Sequence, residues 1–389
     1  MYAGQFVFSQ LLEYLPRWDF RACVARHDGN YRMRRFSCFD QFVVMAFAQL
    51  TFRESLRDIE TCLRAQAPKL YHVGLRGSVA RATLADANER RPWQIWADLA
   101  QVLIHEARGL YAEEGFGLRL RNSVYAFDTT TIDLCLTLFP WCQFRRRKSA
   151  VKLHTLLDLR GSIPCFVAIT SGATHEVNLL DALPLEPGSY YLIDRGFVDF
   201  VRLYRFTQEH AFFVTRSKGN MDYCVRESRP IDVTTGLRAD QSIRLTGPLT
   251  RRKYPDLLRR VSFADLETAR RYVFLSNNFT LAAQTICRLY KCRWRVELFF
   301  KWIKQYLRIK AFFGTSENAV KTQVWIALCV YLLVAIVRKR QNIDLTMGEM
   351  LQVLSVTIFE KTPIWQVFSH ERLKLTRLEN HNCLPLFEL

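Results

Sequence analysis

The sequence lacks the signatures of zinc-binding, secreted and membrane-spanning proteins. Its 11 cysteines include no Cys-x-x-Cys pair, so we expect free thiols in a reducing compartment rather than a zinc site or a disulfide framework. The first residues show no basic start followed by an apolar run, and we therefore expect no signal peptide. The most apolar stretch, residues 325–337, is shorter than the roughly 20 residues that span a bilayer. It predicts a buried core helix and no membrane partner.

Acidic residues are few relative to basic ones. The 389 residues include 55 Lys+Arg and 37 Asp+Glu, which gives a formal net charge of +18. Such an excess attracts polyanions, most commonly nucleic acid, although a membrane surface or a ribosomal partner would also satisfy it. The hydrophobic fraction of 49% is ample for buried cores, and the length indicates two or three domains.

Residues 1–118 predict an all-helical N-terminal domain. Thr51 and Glu54 have the spacing of a capping box, in which a hydroxyl and a carboxylate bond the first amides of a helix. A basic third helix follows. Three short helices of this kind form either a helix-turn-helix that reads DNA or a plain bundle with arginines on its solvent face. We interpret the domain as DNA-binding, and the contacts predicted on its third helix are Arg81, Arg90 and Arg91.

Residues 119–340 predict a mixed α/β core. Apolar runs predict strands at 124–127, 152–159, 164–170, 190–193, 211–215 and 272–275, a helix at 198–210 and a long helix at 281–307. The stretch 216–271 contains glycines, prolines and an excess of Lys and Arg, and we interpret it as an inserted, basic, β-rich lobe. Residues 341–389 predict a helical C-terminal region, a candidate for oligomerisation contacts.

Two aspartates follow predicted core strands. Asp128 ends the strand at 124–127, and Asp194 ends the strand at 190–193. Functional groups of open α/β sheets gather beyond the carboxyl ends of the strands. One such aspartate could simply cap a turn, but two in the same sheet favour a shared site.

The long helix adds a third carboxylate. Tyr290, Arg293, Glu297 and Lys304 are spaced by 3, 4 and 7 residues, and at about 100° per residue they share one helix face, with Lys301 at its border. Over residues 285–312 there are eight Lys+Arg and one acid. The alternative is a solvated ladder in which this acid only neutralises its neighbours. A lone carboxylate among eight cations favours a catalytic role.

Two Asp and one Glu make an all-oxygen site suited to Mg²⁺ or Mn²⁺. We predict that Asp128, Asp194 and Glu297 are both the catalytic residues and the ligands of two metal ions. In such sites, with ions roughly 3.5–4 Å apart, one ion activates the attacking oxygen and the other stabilises the leaving oxygen at phosphorus.

Basic side chains near these carboxylates are predicted DNA contacts. On the long helix they would hold the phosphate backbone, together with a tyrosine hydroxyl. The residues concerned are Tyr290, Arg293, Lys301 and Lys304. A basic loop after the first strand is either a phosphate clamp or a solvated loop. Its residues are Arg145, Arg146, Arg147 and Lys148.

The chain resembles the bacterial insertion-sequence transposases of the DDE superfamily, in particular the "insertion sequence four" family. The four residues spaced along the long helix match that family's Tyr-Arg-Glu-Lys signature. Asp128 and Asp194, the latter within an Asp-Arg-Gly-Phe run, match its first and second aspartates. The resemblance covers nearly the whole chain and is weakest after about residue 340.

The resemblance implies a ribonuclease-H-like catalytic core with the insertion between the second Asp and the Glu. It implies a cytoplasmic, nucleoid-associated bacterial enzyme that binds the terminal inverted repeats of its element, cuts them and joins the 3′ ends to target DNA. The enzyme would act with Mg²⁺ or Mn²⁺ and as a homodimer on DNA. In some relatives a Trp of the insertion stabilises a flipped base. This chain has no Trp between Trp141 and Trp294, and the candidate replacements are Tyr223, Tyr254 and Tyr272.

Two other functions remain open on the sequence alone. A ribonuclease-H-like nuclease would cut DNA without joining strands. A regulator derived from a transposase would bind DNA without any chemistry, and the presence of all three carboxylates argues against it.

Overall fold

The structure is a computed structural model that describes residues 4–118, 120–145, 148–265, 270–306 and 312–369. The helices are α1 (Val7–Glu13), α2 (Arg17–Arg26), α3 (Cys38–Leu50), α4 (Leu56–Ala65), α5 (Ala67–Leu70), α6 (Arg81–Arg90), α7 (Gln94–Tyr111), α8 (Phe200–Gln208), α9 (Pro248–Lys253), α10 (Ala283–Cys292), α11 (Trp294–Tyr306), α12 (Glu317–Arg340), α13 (Met347–Thr357) and α14 (Ile364–Val367). The strands are β1 (Val124–Leu134), β2 (Gln143–Arg145), β3 (Lys148–Asp158), β4 (Ile163–Ser171), β5 (Tyr190–Ile193), β6 (Phe212–Arg216), β7 (Tyr223–Ser228), β8 (Leu237–Leu245), β9 (Leu258–Ala264) and β10 (Arg271–Ser276).

The chain divides into two compact units. A helical unit combines Met1–Tyr111 with Trp302–Leu389, and a sheet unit comprises Ala112–Lys301. This division differs from the predicted limits at 118 and 340. The physical reason is that α12, assigned to the core from the sequence, packs against α7 and α3 of the helical unit.

The centre of the helical unit is α12. This helix is long and apolar enough to cross a bilayer, yet 94% of its most apolar window is buried inside the protein. The buried core helix predicted at 325–337 is therefore confirmed. On α7 and α3, which pack against α12, Trp96 stacks on Phe42 with ring centroids 6.2 Å apart.

Serine caps define the starts of α3 and α4. Ser37 and Asp40 form a reciprocal capping box at α3, and the Ser55 side chain accepts a hydrogen bond from the first turn of α4. The capping box predicted at Thr51 and Glu54 is wrong, because Thr51 is the C-cap of α3 and does not begin the next helix. Its hydroxyl donates back to a carbonyl of α3 at 2.7 Å.

One ten-stranded sheet organises the sheet unit. Its order is β2-β3-β1-β5-β6-β10-β9-β8-β7, with β4 also paired to β3. Strand β3 pairs antiparallel with both β4 and β1, whereas β1, β5 and β6 run parallel. Helix α8 connects the parallel strands β5 and β6, as such pairs require a crossover. The mixed α/β class, with helical regions before and after a large sheet, agrees with the prediction.

The insertion continues this sheet. Strands β7, β8 and β9 pair antiparallel and join β6 through β10. The stretch 216–271 is β-rich as predicted, but it extends the core sheet instead of forming a detached lobe. Arg259 and Asp240, with side chains 3% and 5% exposed, form an ion pair at 2.6 Å between β9 and β8. Arg259 also donates to the carbonyl of Leu281, two residues before α10.

The long helix predicted at 281–307 is two helices. Arg293 is a turn residue between α10 and α11. The Val296 amide donates to the Arg293 carbonyl at 3.1 Å, an i→i−3 bond that tightens the backbone locally. Arg295 fixes α11 by donating to the Leu159 carbonyl, just after β3.

Candidate active site

Parallel pairing of β1 and β5 places Asp128 beside Asp194. The two strands stay in register up to Phe127, which lies opposite Ile193. The next residue along each chain segment is an aspartate, so both carboxylates lie at the same carboxyl edge of this strand pair. The prediction that β1 ends at Asp128 is wrong, because β1 continues to Leu134 against β3.

Helices α10 and α11 bring three further side chains to this edge. The Tyr290 hydroxyl donates to Asp194 Oδ1 at 3.1 Å. Arg293 donates through Nη1 to Asp128 Oδ2 at 2.8 Å and through Nη2 to Glu297 Oε1 at 2.5 Å. Between them, Tyr290 and Arg293 thus donate hydrogen bonds to all three predicted carboxylates.

Arg293 compensates the charge of the carboxylates that it contacts. Its side chain is 13% exposed, and those of Asp128 and Glu297 are 18% and 33% exposed. Burial raises the pKa of Asp128 to about 6, and the Asp194 and Glu297 carboxylates act in the same direction. The adjacent backbone amide and Arg293 oppose this rise. The charged form of Asp128 therefore depends on a nearby cation.

Asp194 and Tyr290 hold their ordinary protonation states. Burial would raise the pKa of Asp194, but backbone amides, Arg293 and Tyr290 together hold that pKa below its ordinary value. Burial raises the pKa of Tyr290 to about 12, so its hydroxyl stays protonated and donates a hydrogen bond to Asp194. The two aspartates are thus electrostatically unequal, with Asp194 firmly anionic and Asp128 easier to protonate.

A basic and aromatic groove of about 480 Å³ adjoins Tyr290 and Arg293. Tyr272 stacks on Phe274 with centroids 6.1 Å apart and planes 8° apart. The Arg216 guanidinium lies 5.4 Å from the Tyr272 ring centroid. Further lining side chains are Arg288, Lys291 and Trp294. Rings interleaved with cations are the composition that suits nucleic-acid strands.

The position of this groove distinguishes among the three tyrosines that were considered as replacements for the Trp found in the insertion of some relatives. Tyr254 is buried, and its hydroxyl is 2.7 Å from that of Thr207, so it cannot receive a base. Tyr223 lies under the Arg260 guanidinium at 5.3 Å on the insertion strands. Of the three, Tyr272 lines the groove beside the carboxylates.

Comparison with known proteins identifies the family. Residues 119–333, more than half of the chain, match the family model described as a transposase DDE domain. The chain belongs to the DDE transposase family. Ahead of this domain, residues 3–76 match a domain of unknown function, DUF4372.

Two proteins and one solved structure are similar to this DDE transposase. A Sinorhizobium fredii protein described as a transposase is 30% identical over 293 residues, covering 74% of this chain and 80% of the relative. A transposase for an insertion sequence element of Geobacillus stearothermophilus is 28% identical over 274 residues, covering 68% and 70%. The cryo-EM structure of the piggyBac transposase synaptic complex with hairpin DNA covers 98% of this chain and 84% of its own, with 10% identity and a TM-score of 0.46. At this score the likeness does not establish a shared fold.

The three carboxylates of the DDE transposase do not form a ready metal cage. Within the described ranges, no group of three or more His, Cys, Asp or Glu is placed to hold a metal ion. The reason is that Arg293 bonds Asp128 and Glu297 while Tyr290 bonds Asp194. The donor set is all carboxylate oxygen, which fits Mg²⁺ or Mn²⁺ chemically. Arg293 Nε is buried without an acceptor among the described residues, so the guanidinium is incompletely bonded where it lies.

The remaining DNA contacts predicted in the catalytic core lie along α11 and in a basic loop. On α11, Lys301 is exposed and Lys304 is half-buried. At the loop, Arg145 ends β2 and Lys148 begins β3, and only their backbone is described. Two predicted contacts, Arg146 and Arg147, lie outside the described residues.

The arginines predicted to read DNA from the third helix fall in or next to α6. Arg91 donates to the Ser37 carbonyl at 3.0 Å and to a side chain of α3 at 2.8 Å. Arg90 is exposed and pairs with Asp86 at 2.6 Å, and Arg81 is exposed. These bonds engage Arg91 at the start of α3, and the DNA contacts of all three arginines stay predictions.

Sequence reasoning did not identify His154 beside the site. Its side chain is fully buried, with one ring nitrogen 2.7 Å from Thr129 Oγ1 and the other 2.8 Å from Thr170 Oγ1. Burial and the Lys152 charge lower its pKa to about 4, so the ring is neutral at pH 7. His154 ties β1, β3 and β4 together next to Asp128. Its position inside a predicted core strand, between Leu153 and the Leu156-Leu157 pair, is the signal that could have found it.

Proposed function

We propose that this DDE transposase binds the terminal inverted repeats of an insertion sequence, cleaves the ends and joins the 3′ ends to target DNA. The observation that carries the proposal is the meeting of Asp128, Asp194 and Glu297 through Arg293 and Tyr290 at one sheet edge. Catalysis of phosphoryl transfer is mostly positioning and electrostatic stabilisation. Clustered carboxylates with adjacent cations supply both.

Asp128, Asp194 and Glu297 would hold two ions of Mg²⁺ or Mn²⁺. When bound, these ions supply activation of the attacking oxygen and stabilisation of the leaving oxygen. Arg293 neutralises the carboxylates in the described arrangement. Released from them, its guanidinium is placed to hold a phosphate oxygen in a charge-assisted hydrogen bond. The Tyr290 hydroxyl stays protonated and can donate a hydrogen bond to a phosphate oxygen of the DNA backbone.

The core that carries these residues is proposed to be ribonuclease-H-like. Supporting this is a sheet in which the antiparallel strands β4, β3 and β1 continue into the parallel strands β5 and β6, with the aspartates following the paired parts of β1 and β5. The DNA end would pass the groove lined by Tyr272 and Arg216. We further propose a homodimer in the DNA complex, C-terminal oligomerisation contacts and action on nucleoid DNA in the cytoplasm.

Cleavage and joining of defined DNA ends test the proposal. Asp128→Asn, Asp194→Asn and Glu297→Gln should each abolish Mg²⁺-dependent cleavage of DNA carrying the ends that flank the gene. Binding to those ends in Ca²⁺ should persist, because the phosphate contacts come from cations elsewhere. The matched control is Asp133→Asn, an exposed aspartate five residues further along β1.

Parent-like cleavage by one of the three variants would remove that residue from the site. Joining of precut ends to a supercoiled target separates a transposase from a nuclease that only cuts. Binding without cleavage by the unaltered protein would instead support the regulator.

A further inference from the structure

A basic and aromatic surface on α2 and the loop after it has no role in the function proposed above. Residues 17–35 contain six arginines and two aspartates. Two large aromatic side chains stand exposed among them, Trp18 at 82% and Tyr31 at 70%. With these two rings, the exposed arginines that define this "α2 surface" are Arg17, Arg21, Arg32, Arg34 and Arg35.

Acidic side chains do not neutralise the α2 surface. The sixth arginine, Arg26, pairs with Asp98. No ion pair within the described ranges reaches any of the other five. Partial burial and the repulsion of Arg21 lower the pKa of Arg17, which shows that like charges are crowded here. An anionic ligand would relieve that repulsion.

Aromatic rings hold three guanidinium groups without using their hydrogen-bond donors. Arg21 lies 5.8 Å from the Trp18 ring, Arg32 lies 5.1 Å from the Tyr31 ring, and Arg17 lies 4.2 Å from the ring of Phe39. A cation–π contact engages the face of the planar group. The N–H donors at its edge stay available for the bidentate contacts that arginine makes with phosphate.

The α2 surface also contains a groove and an uncapped helix start. The groove has a volume of about 630 Å³, and its lining adds Asn30 and Ser37 as neutral polar groups and Asp28 as an acid. Helix α2 begins after Pro16, with no side chain accepting from its first amides. Amides at such a helix start are further donors for an anion.

We propose that the α2 surface is a second DNA-binding site, which holds the phosphate backbone of duplex DNA. The inference rests on the proposed function for its choice of DNA among polyanions. Phosphate contacts position a duplex without reading its sequence. The phosphates therefore come either from the element's own ends or from target DNA, and the test below separates the two.

The test uses the full chain and fluorescence anisotropy with two labelled duplexes of equal length. One duplex carries the ends that flank the gene, and the other is a scrambled sequence. Arg17→Ala/Arg21→Ala/Arg32→Ala should weaken binding and reduce the slope of log K against log salt by up to about three units. Loss on both duplexes assigns the surface to general backbone contact, and loss on the flanking ends alone assigns it to end binding.

The matched control removes three exposed arginines from the same unit. Arg57→Ala/Arg64→Ala/Arg76→Ala deletes three exposed side chains that are not predicted DNA contacts, and Arg64 already pairs with Glu60. This control should change the slope by less than the α2 variant does. A triple Arg→Lys variant of the α2 surface should keep most of the slope, since it retains the charge. This arm shows that lost binding is not lost folding.

An α2 triple variant with the parent slope overturns the inference. So does a control that loses as much slope as the α2 variant, because removing any three positive charges from this unit would then have the same effect. If the unaltered chain binds neither duplex, the proposed function fails as well. If it binds and cleaves the ends while the α2 variant is unchanged, the inference alone fails.

Discussion

The carboxylate cluster and the α2 surface treat charge in opposite ways. In the cluster, Arg293 lies between Asp128 and Glu297 and forms an ion pair with each of them. On the α2 surface, arginines such as Arg17 and Arg21 lie over aromatic rings, and acids do not pair with them among the described residues. In the first arrangement the arginine is already paired, and only a ligand that competes with its carboxylates would release it. The second needs an external anion to be satisfied.

This difference shows why charge counted along the sequence does not locate an anion site. The segment around α10 and α11 has eight cations and one acid, yet its central arginine is occupied by carboxylates. Residues 17–35 have a smaller excess, but most of their arginines remain available. What decides attraction is the pairing of each side chain.

Breaking a buried pair of the sheet unit should have the largest effect. Asp240→Asn leaves the Arg259 guanidinium, 3% exposed, without its carboxylate. Removing one partner of a buried pair costs about 3–5 kcal/mol, so the free energy of unfolding in urea should fall by that amount. The control is Glu227→Gln, which removes an exposed partner of Arg229 and should cost under about 1 kcal/mol. Equal losses in the two variants would contradict the buried-pair reading.

Protonation of His154 should give a smaller, pH-dependent effect. Its folded pKa of about 4 lies below the ordinary value of 6.5, so the unfolded chain binds the proton more readily. Stability should therefore fall as the pH drops from about 6.5 to 4, by up to about 3 kcal/mol.

Comparison with His154→Gln isolates this contribution. The raised pKa of Asp128 acts in the opposite direction in the acid range, but it is present in both proteins. Denaturant unfolding at several pH values should show a steeper acid loss for the parent than for the variant. Parallel curves would mean that His154 is not the group responsible.

Substitution of Arg293 or of Glu297 should have the mildest effect, and the two variants should differ in the direction in which DNA binding changes. Binding to precut ends is measured in Ca²⁺. Arg293→Ala should lose about 1.5–3 kcal/mol, or roughly ten- to a hundred-fold, if the guanidinium moves from carboxylate to phosphate. Glu297→Gln should bind as well or better, because it removes a negative charge near the DNA. Equal losses would make the two residues a structural ion pair only.

The residue spacing predicts which side chains share one helix face, but it does not predict that the helix is interrupted. The intervals between Tyr290, Arg293 and Glu297 suffice to predict that they share a face, and their contacts with Asp128 and Asp194 agree with it. The interruption at Arg293 could not be predicted, because nothing in its neighbours is a helix breaker. Its backbone responds to tertiary contacts such as that of Arg295 with Leu159.

The sequence also did not predict which strands pair with one another or which side chains bond to one another. The strands at 216–271 are recognisable from alternation, but alternation does not say that β10 pairs with β6. Likewise, the basic character of α6 is visible in the sequence, but the engagement of Arg91 with Ser37 is not. Long-range contacts decided both outcomes.

The continuous sheet has an evolutionary consequence for the insertion. Strand β7 ends the sheet order, so residues added at the β7–β8 turn would lengthen a peripheral hairpin without touching the aspartates. Deleting β8 and β9 would instead leave β10 with an unpaired edge, which invites association with other chains. It would also release the Arg259 contact to Leu281 ahead of α10. The segment is therefore free to grow at its tip and constrained at its base.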